Sequence, residues 1–364
     1  MKYNEIRRKS KEVVIGNCKI GGNNPIAIQS MTNTNTADAA ATVAQIRKME
    51  ENGCNIVRIS VPTLEAANTI LAIKEAGVRI PIVADIHFDY KIALRCAELG
   101  FDKIRINPGN IGDDSRVKAV CDACRAKKIP IRIGVNSGSL EKHILAKYGS
   151  PTPEALCESA LYHASLLEKF DFYDTVISIK ASTVAGMIEA NRRLAQACQY
   201  PLHLGVTEAG GGERGMIKSA IGIGSLLCDG IGDTLRVSLT DDPVLEVDAA
   251  KKILQGIELE GQCGMDIVSC PTCSRTKIDL IALSKQFESA VREAGLLDVP
   301  VKVALMGCVV NGPGEAREAD VGIAGGIGEA VLFRQGEIVE KIPEGEIIQR
   351  LLQEIQIIKE TKKV

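Results

Sequence analysis

Two groups of side chains in this sequence have types and spacings that could do chemistry. The first is a set of thiols. Cys270 and Cys273 form a Cys-x-x-Cys pair, CPTC, and Cys308 follows 35 positions later in GCVVNGPGEA. Three thiolates from two loops suggest a metal site, because thiolate is a soft ligand that suits zinc or iron. Zinc would take a fourth Cys or His. Neither occurs after Cys308, and His87, His143, His163 and His203 all precede CPTC. Three cysteines and an oxygen donor instead match an iron–sulfur cluster with one exchangeable corner. The turn NGPG throws the chain back sharply and makes Glu315 a candidate fourth ligand, with Cys263 as its competitor. A second pair, Cys121 and Cys124, lies in a helical run with no further Cys or His close in sequence, and reads as packing.

The second group is basic. Arg58, Arg105, Arg132, Lys180 and Arg236 each sit late in a short run rich in Ile and Val. A strand repeats every two residues, so Asn107 shares a face with Arg105, Asn136 with Arg132, and Ser238 with Arg236. Cations converging on one interior would be costly without anions to meet them. A small polyanion resolves this. Arginine forks match phosphate oxygens, lysine adds a point charge, and the loops INPGNIG and EAGGGERG would add N–H donors. A phosphorylated small ligand is expected, with a diphosphate the best match. His87, two residues after Asp85, and Thr207 with Glu208 beside a Gly-rich loop complete the candidates, Glu208 as a proton handler.

A cluster with an open corner and a phosphate pocket point to reductive chemistry on a phosphorylated substrate. Two other readings compete. Lys180 could be the Schiff-base nucleophile of a barrel aldolase or lyase, which would leave the C-terminal cysteines without a role. A binding module with a structural zinc would explain the cysteines poorly.

These residues need elements to position them. Eight runs read as strands: PIAIQSM, NIVRISV, IPIVADIH, DKIRINP, IPIRIGVN, DTVISIKAS, PLHLGVTE and DTLRVSLT. Helical segments separate them. Alternation of this kind implies right-handed crossovers and a parallel sheet, and eight units over about 250 residues is the size of a (β/α)8 TIM-type barrel. Barrel chemistry gathers at the C-terminal strand ends, where the basic residues fall. An open, doubly wound sheet is the rival, but MTNTNTAD after the first run carries no Gly-rich fingerprint. After about residue 260 the pattern changes. GQCGMDIVSCPTCSRT reads as a loop, followed by an amphipathic helix, four short strands and a closing helix. The expected domains are therefore a barrel over 1–260 and a smaller α+β domain over 261–364.

Composition narrows the partners. With 46 acidic against 44 basic side chains, no overall field favours nucleic acid or an anionic membrane, and with no Trp and 3% aromatics there is no stacking platform for single strands. The charged start, MKYNEIRRKSKEVVIGN, lacks the apolar core of a signal peptide, and no run is long enough to span a membrane. Twelve cysteines without an export signal point to reduced thiols and a cytoplasmic location.

QSMTNT, VRISVP, ADIHFD, RINPGN, RIGVNSGSL, GVTEAG, CPTCSR and GCVVNGPGEA together resemble the 4-hydroxy-3-methylbut-2-enyl diphosphate synthase family of the methylerythritol phosphate route to isoprenoids, nearly end to end. The layout is the compact bacterial one. The resemblance implies a [4Fe–4S] cluster on Cys270, Cys273, Cys308 and Glu315. It implies 2-C-methyl-D-erythritol 2,4-cyclodiphosphate as substrate, opened and dehydrated with two electrons from flavodoxin or ferredoxin. It assigns Arg58, Arg105, Arg132, Lys180, Arg236 and Ser238 to the diphosphate, with Asn107 and Asn136 nearby. His87, Thr207 and Glu208 would lie nearer the reacting carbons. It further implies a head-to-tail homodimer in which one chain's cluster domain caps the other's barrel.

Overall fold

The computed structural model describes residues 3–181, 183–259, 264–309 and 317–361. The chain divides into two compact units, Met1–Glu260 and Gly261–Val364.

In the first unit the eight expected runs form β3 (Ala27–Met31), β4 (Ile56–Ser60), β5 (Ile82–Asp85), β6 (Lys103–Ile106), β7 (Ile131–Asn136), β8 (Thr175–Lys180), β9 (His203–Leu204) and β10 (Thr234–Leu235). Their spatial order is β8-β7-β6-β5-β4-β3-β10-β9, every pairing is parallel, and a parallel bridge from Ile177 to Leu202 joins β8 to the chain entering β9. The sheet thus returns on itself as a barrel, with a helix or helix pair after each strand. Several of those helices begin on a side-chain cap: Asp38, Asp89, Asp113, Thr152, Thr183 and Asp242 each accept a first-turn N–H. Caps of this kind fix where each loop ends, so the residues ahead of them stay at the barrel mouth.

The strand ends differ from expectation, and one element was not foreseen. The last two strands are far shorter than PLHLGVTE and DTLRVSLT suggested. Asp233 takes over part of the ladder: its carboxylate accepts the Leu202 N–H at 2.8 Å, together with Arg7 and Ser10 from the N-terminal segment. The N-terminal segment also holds an unforeseen antiparallel hairpin, β1 (Val13–Ile15) and β2 (Cys18–Ile20), turning at Gly16 with φ +55°. Val13, Ile15 and Ile20 pack on Ala27, Ile56, Val83 and Val176 from four barrel strands. A cluster shared by four strands can only lie in the lumen, so the hairpin plugs the barrel's N-terminal end.

In the second unit, part of the stretch read as a loop is β11 (Asp266–Ser269), which runs parallel to β12 (Lys302–Met306). Its apolar core is only Ile267 and Val268, too short a pattern to signal a strand without its partner. The sheet continues through β13 (Val321–Gly325), β14 (Glu329–Arg334) and β15 (Glu337–Pro343), the last two pairings antiparallel. The Leu280–Glu293 and Ile347–Thr361 helices bury Phe287, Val291, Leu351 and Ile355 against Val303, Leu305, Val321 and Ile323. This is the expected small α+β layer structure.

Candidate active site

Strand register brings the basic residues together. Asp85 is the parallel partner of Arg105, Arg105 of Arg132, and Asn136 of Lys180. Arg105 Nη1 donates to Asp85 Oδ1 at 3.0 Å, and Arg58 Nε lies 3.6 Å from Asp85 Oδ2. Arg236 makes a two-pronged contact with Glu246, both distances 3.0 Å, while Glu246 also accepts from Ser30 and from the Leu239 N–H. Met31 fills the gap between arginines: its sulfur accepts from Arg58 at 2.8 and 3.1 Å and from Arg236 at 3.5 Å. Gly134 leaves room for Arg105, since a Cβ there would stand 2.5 Å from the Arg105 Nε.

Two carboxylates therefore answer Arg58, Arg105 and Arg236. Among the described residues no carboxylate pairs with Arg132, and its Nε and Nη1 are buried without partners. Burial lowers the Arg132 pKa well below normal, and Arg58 and Arg105 add to the effect. Lys180 is pushed the same way, by burial and then by Arg58, Arg236, Arg132 and Arg105. Burial brings Arg58 down to about 10 despite Asp85. For Asp85 burial works upward, but Arg58, Arg105 and Arg132 together outweigh it and hold the carboxyl at about 2. Charges buried without partners cost several kcal/mol each. The arrangement is destabilising until an anion arrives.

The other predicted residues are placed less tightly. Asn107 is buried, but its Oδ1 caps the short Pro108–Ile111 helix by accepting the Gly109 N–H at 3.1 Å. The Ser238 Oγ is buried and has no partner. Thr207 is half-buried, whereas His87 and Glu208 stand exposed on loops after β5 and β9. Glu208 has φ +54°, a left-handed conformation shared with Lys128, Asp171, Glu258 and Gln335. No described contact joins His87 or Glu208 to the arginine group.

Two lumen residues escaped the sequence reading. Lys103 is fully buried one strand repeat below Arg105, and its Nζ has no partner among the described residues; burial and Arg132 lower its pKa strongly. His203 is equally buried, with Nδ1 against Thr234 Oγ1 and Nε2 without a partner. The alternation Lys103, Arg105 was readable as one face. Glu246 was not, because it comes from the Pro243–Gly256 helix and nothing in its spacing points inward.

The thiols of the second unit sit at one end of its sheet. Cys270 follows β11, and Gly307 with Cys308 follow the adjacent parallel strand β12. The Gly307 N–H donates to Cys270 Sγ at 3.3 Å. Cys308 is buried. Cys273 is exposed, and hydrogen bonds from the Arg275 backbone and side chain lower its thiol pKa. Thiols at one sheet end, one already accepting an amide N–H and one biased towards thiolate, suit an iron–sulfur cluster. Among the described residues no group of three or more His, Cys, Asp or Glu is arranged to hold a metal ion. Glu315 and Cys263 lie outside the described residues. Cys121 and Cys124 are fully buried in the Asp114–Lys127 helix, and burial pushes both thiols up, Cys121 to about 11.

Comparison with known proteins bears on both units. The family model for the GcpE TIM-barrel domain matches residues 10–251, and that for the GcpE protein C-terminal domain matches residues 266–357. A curated protein of Fusobacterium nucleatum subsp. nucleatum, "4-hydroxy-3-methylbut-2-en-1-yl diphosphate synthase (flavodoxin)", is 56% identical over 358 residues, 98% of this chain and 100% of that one. A protein of the same name from Caldanaerobacter subterraneus subsp. tengcongensis is 55% identical over 97% of this chain and 98% of its own. Among solved structures, dihydropteroate synthase from Stenotrophomonas maltophilia is similar with a TM-score of 0.50 at 16% identity, covering 68% of this chain and 98% of that one. At that identity the likeness concerns the barrel fold alone.

Proposed function

The chain belongs to the GcpE family of 4-hydroxy-3-methylbut-2-en-1-yl diphosphate synthases, and on that footing we propose that its barrel mouth holds the cyclic diphosphate and its C-terminal thiols hold the cluster. The reaction is the two-electron reductive ring opening and dehydration of 2-C-methyl-D-erythritol 2,4-cyclodiphosphate to (E)-4-hydroxy-3-methylbut-2-enyl diphosphate. The observation that carries the site assignment is the buried Arg132 guanidinium with two unpartnered nitrogens. It lies beside Arg58, Arg105, Lys180 and Arg236, which outnumber Asp85 and Glu246.

The residues of the chain divide the work. Arg132, Lys180 and the Ser238 hydroxyl offer donors that no described protein group engages. Arg58 and Arg105 are held in place by Asp85, and Arg236 by Glu246, so their remaining N–H groups are aimed before ligand arrives. Diphosphate charge would lift the depressed Lys180 pKa and keep that ammonium protonated. His87, Thr207 and Glu208 would act at the carbon end, with Glu208 holding or delivering a proton. Asn107 and Asn136 would line the rim.

Cys270, Cys273 and Cys308, with Glu315 as the fourth ligand, would hold a [4Fe–4S] cluster. When bound, such a group supplies one-electron transfer and Lewis acidity. Flavodoxin is the proposed donor, as the relatives' names state for those proteins. The proposed assembly is the head-to-tail homodimer implied by the resemblance, and the proposed location is the cytoplasm. No described helix is long and apolar enough to cross a membrane.

The Schiff-base alternative had a real foothold, since Lys180 has the depressed pKa such a nucleophile needs. Membership of the family sets it aside. The deciding experiment is iron and labile sulfide per chain on anaerobic protein, followed by turnover of the cyclodiphosphate with reduced flavodoxin. About four of each per chain, with turnover, supports the reading; zinc in their place, or no turnover by iron-loaded protein, sinks it.

A further inference from the structure

We infer that His163 is a positioning residue that ties together the loops following β6 and β7, and so sets the placement of Asn107 and Asn136 at the barrel mouth. The inference rests on the proposed diphosphate site. His163 is fully buried on the Pro153–Glu168 helix, outside the cation group. Its Nδ1 accepts the Gly109 N–H at 3.3 Å, and its Nε2 meets Glu141 Oε1 at 2.5 Å. An amide N–H can only donate, so Nδ1 is the bare nitrogen of a neutral ring and Nε2 carries the proton towards Glu141. Burial alone would raise the Glu141 pKa, but the contact with the His163 ring opposes it, and the net direction favours the carboxylate. Each end of the ring thus has the partner that its tautomer requires.

Both partners belong to loops that carry site residues. Gly109 follows Asn107 and shares its N–H between Asn107 Oδ1 and the His163 ring, which couples the asparagine's orientation to the histidine. Glu141 stands at the start of the Lys142–Tyr148 helix, closing the loop that leaves β7 through Asn136. The approach is close enough to dictate sequence: a Cβ at position 109 would lie 2.7 Å from His163 Cε1. A histidine serving only the core would bond to its own helix or to a neighbouring carbonyl. This one bonds to two loops at the C-terminal face of the barrel, where side chains meet ligand.

The test uses the anaerobic, cluster-loaded full chain and three variants. His163→Leu removes both contacts, His163→Asn keeps an acceptor near the Nδ1 position, and His163→Gln keeps a donor towards Glu141. For His163→Leu the KM for the cyclodiphosphate is expected to rise ~10-fold with kcat changed less than ~3-fold, the pattern of lost ground-state positioning. Iron content should be unchanged. Hydrogen–deuterium exchange supplies a readout independent of ligand. Segment 106–112 should lose protection in the Leu and Gln variants and recover it in Asn, and segment 136–142 should lose it in Leu and Asn and recover it in Gln. Wild-type KM in a folded Leu variant overturns the inference, as does equal loss of protection in all variants across the Pro153–Glu168 helix. Should the Leu variant not fold, the opposed Asn and Gln patterns decide. Arg132→Met separates this idea from the site it rests on. A KM defect there beside a wild-type KM in His163→Leu removes the latch alone, whereas no defect in Arg132→Met removes the diphosphate site and the latch's role with it.

Discussion

The barrel mouth and the C-terminal thiol loops reach readiness by different routes. In the barrel, regular strands hold Arg58, Arg105, Arg132 and Lys180 in place, with Arg236 just beyond β10, and folding itself bears the cost of their crowding. In the smaller unit two adjacent strands deliver Cys270 and Cys308 to one sheet end, but among the described residues no complete ligand set converges. The cation group is assembled by the fold itself, whereas under the proposed reading a cluster would complete the thiol site, since metal binding can supply ordering free energy. A charged pocket must be built before its ligand comes; a soft-ligand site need not be.

The sharpest way to break this contrast is Cys308→Ser. Activity should fall by more than ~10³-fold and iron should be lost, while competition by inorganic pyrophosphate for the barrel stays as in wild type. Loss of pyrophosphate binding would show that the barrel site depends on the cluster. Next in size is Arg132→Met, which should weaken pyrophosphate binding by ~10²-fold yet raise the unfolding free energy by ~1–3 kcal/mol, because a buried unpaired charge is removed. Denaturant titration beside a binding curve reads the two opposite signs. Asp85→Asn probes the counter-charge. The folded pKa of Asp85 is depressed to about 2, so its stabilisation is present above the unfolded value near ~4 and is lost as pH falls towards ~2. The wild type should lose ~2 kcal/mol more than the variant across that window. The smallest effect belongs to the other Cys-x-x-Cys pair: Cys121→Ala with Cys124→Ala should leave iron content unchanged and cost ~1 kcal/mol of stability. Iron loss in that variant would mean the wrong pair had been assigned to the metal.

How much of this was legible depended on whether a residue's role is set by its own neighbours in sequence. The first six barrel strands are runs of Ile and Val between helical segments, and they stand where the pattern put them. Arg58, Arg105, Arg132 and Lys180 were legible as one cluster because a period of two fixes the face and the barrel fixes where faces meet. The shortened β9 and β10 were not, because Asp233 replaces ladder bonds through a side chain. Nor was β11, whose two apolar residues count as a strand only beside β12. Glu246 and Met31 act through partners on other elements, Arg236 and Arg58, which no local pattern announces. Lys103 was legible and was passed over. His87 and Glu208 were read from their place at strand ends, and both stand on exposed loops without a described hydrogen bond to the arginine group.

The N-terminal hairpin has a kinetic consequence. With Val13, Ile15 and Ile20 seated against four strands, the barrel is a cup with one opening, not a tube. With the diphosphate site where we propose it, substrate and product would both use the C-terminal face of the barrel. If product leaves by the face at which substrate binds, product should compete with substrate for the same cations.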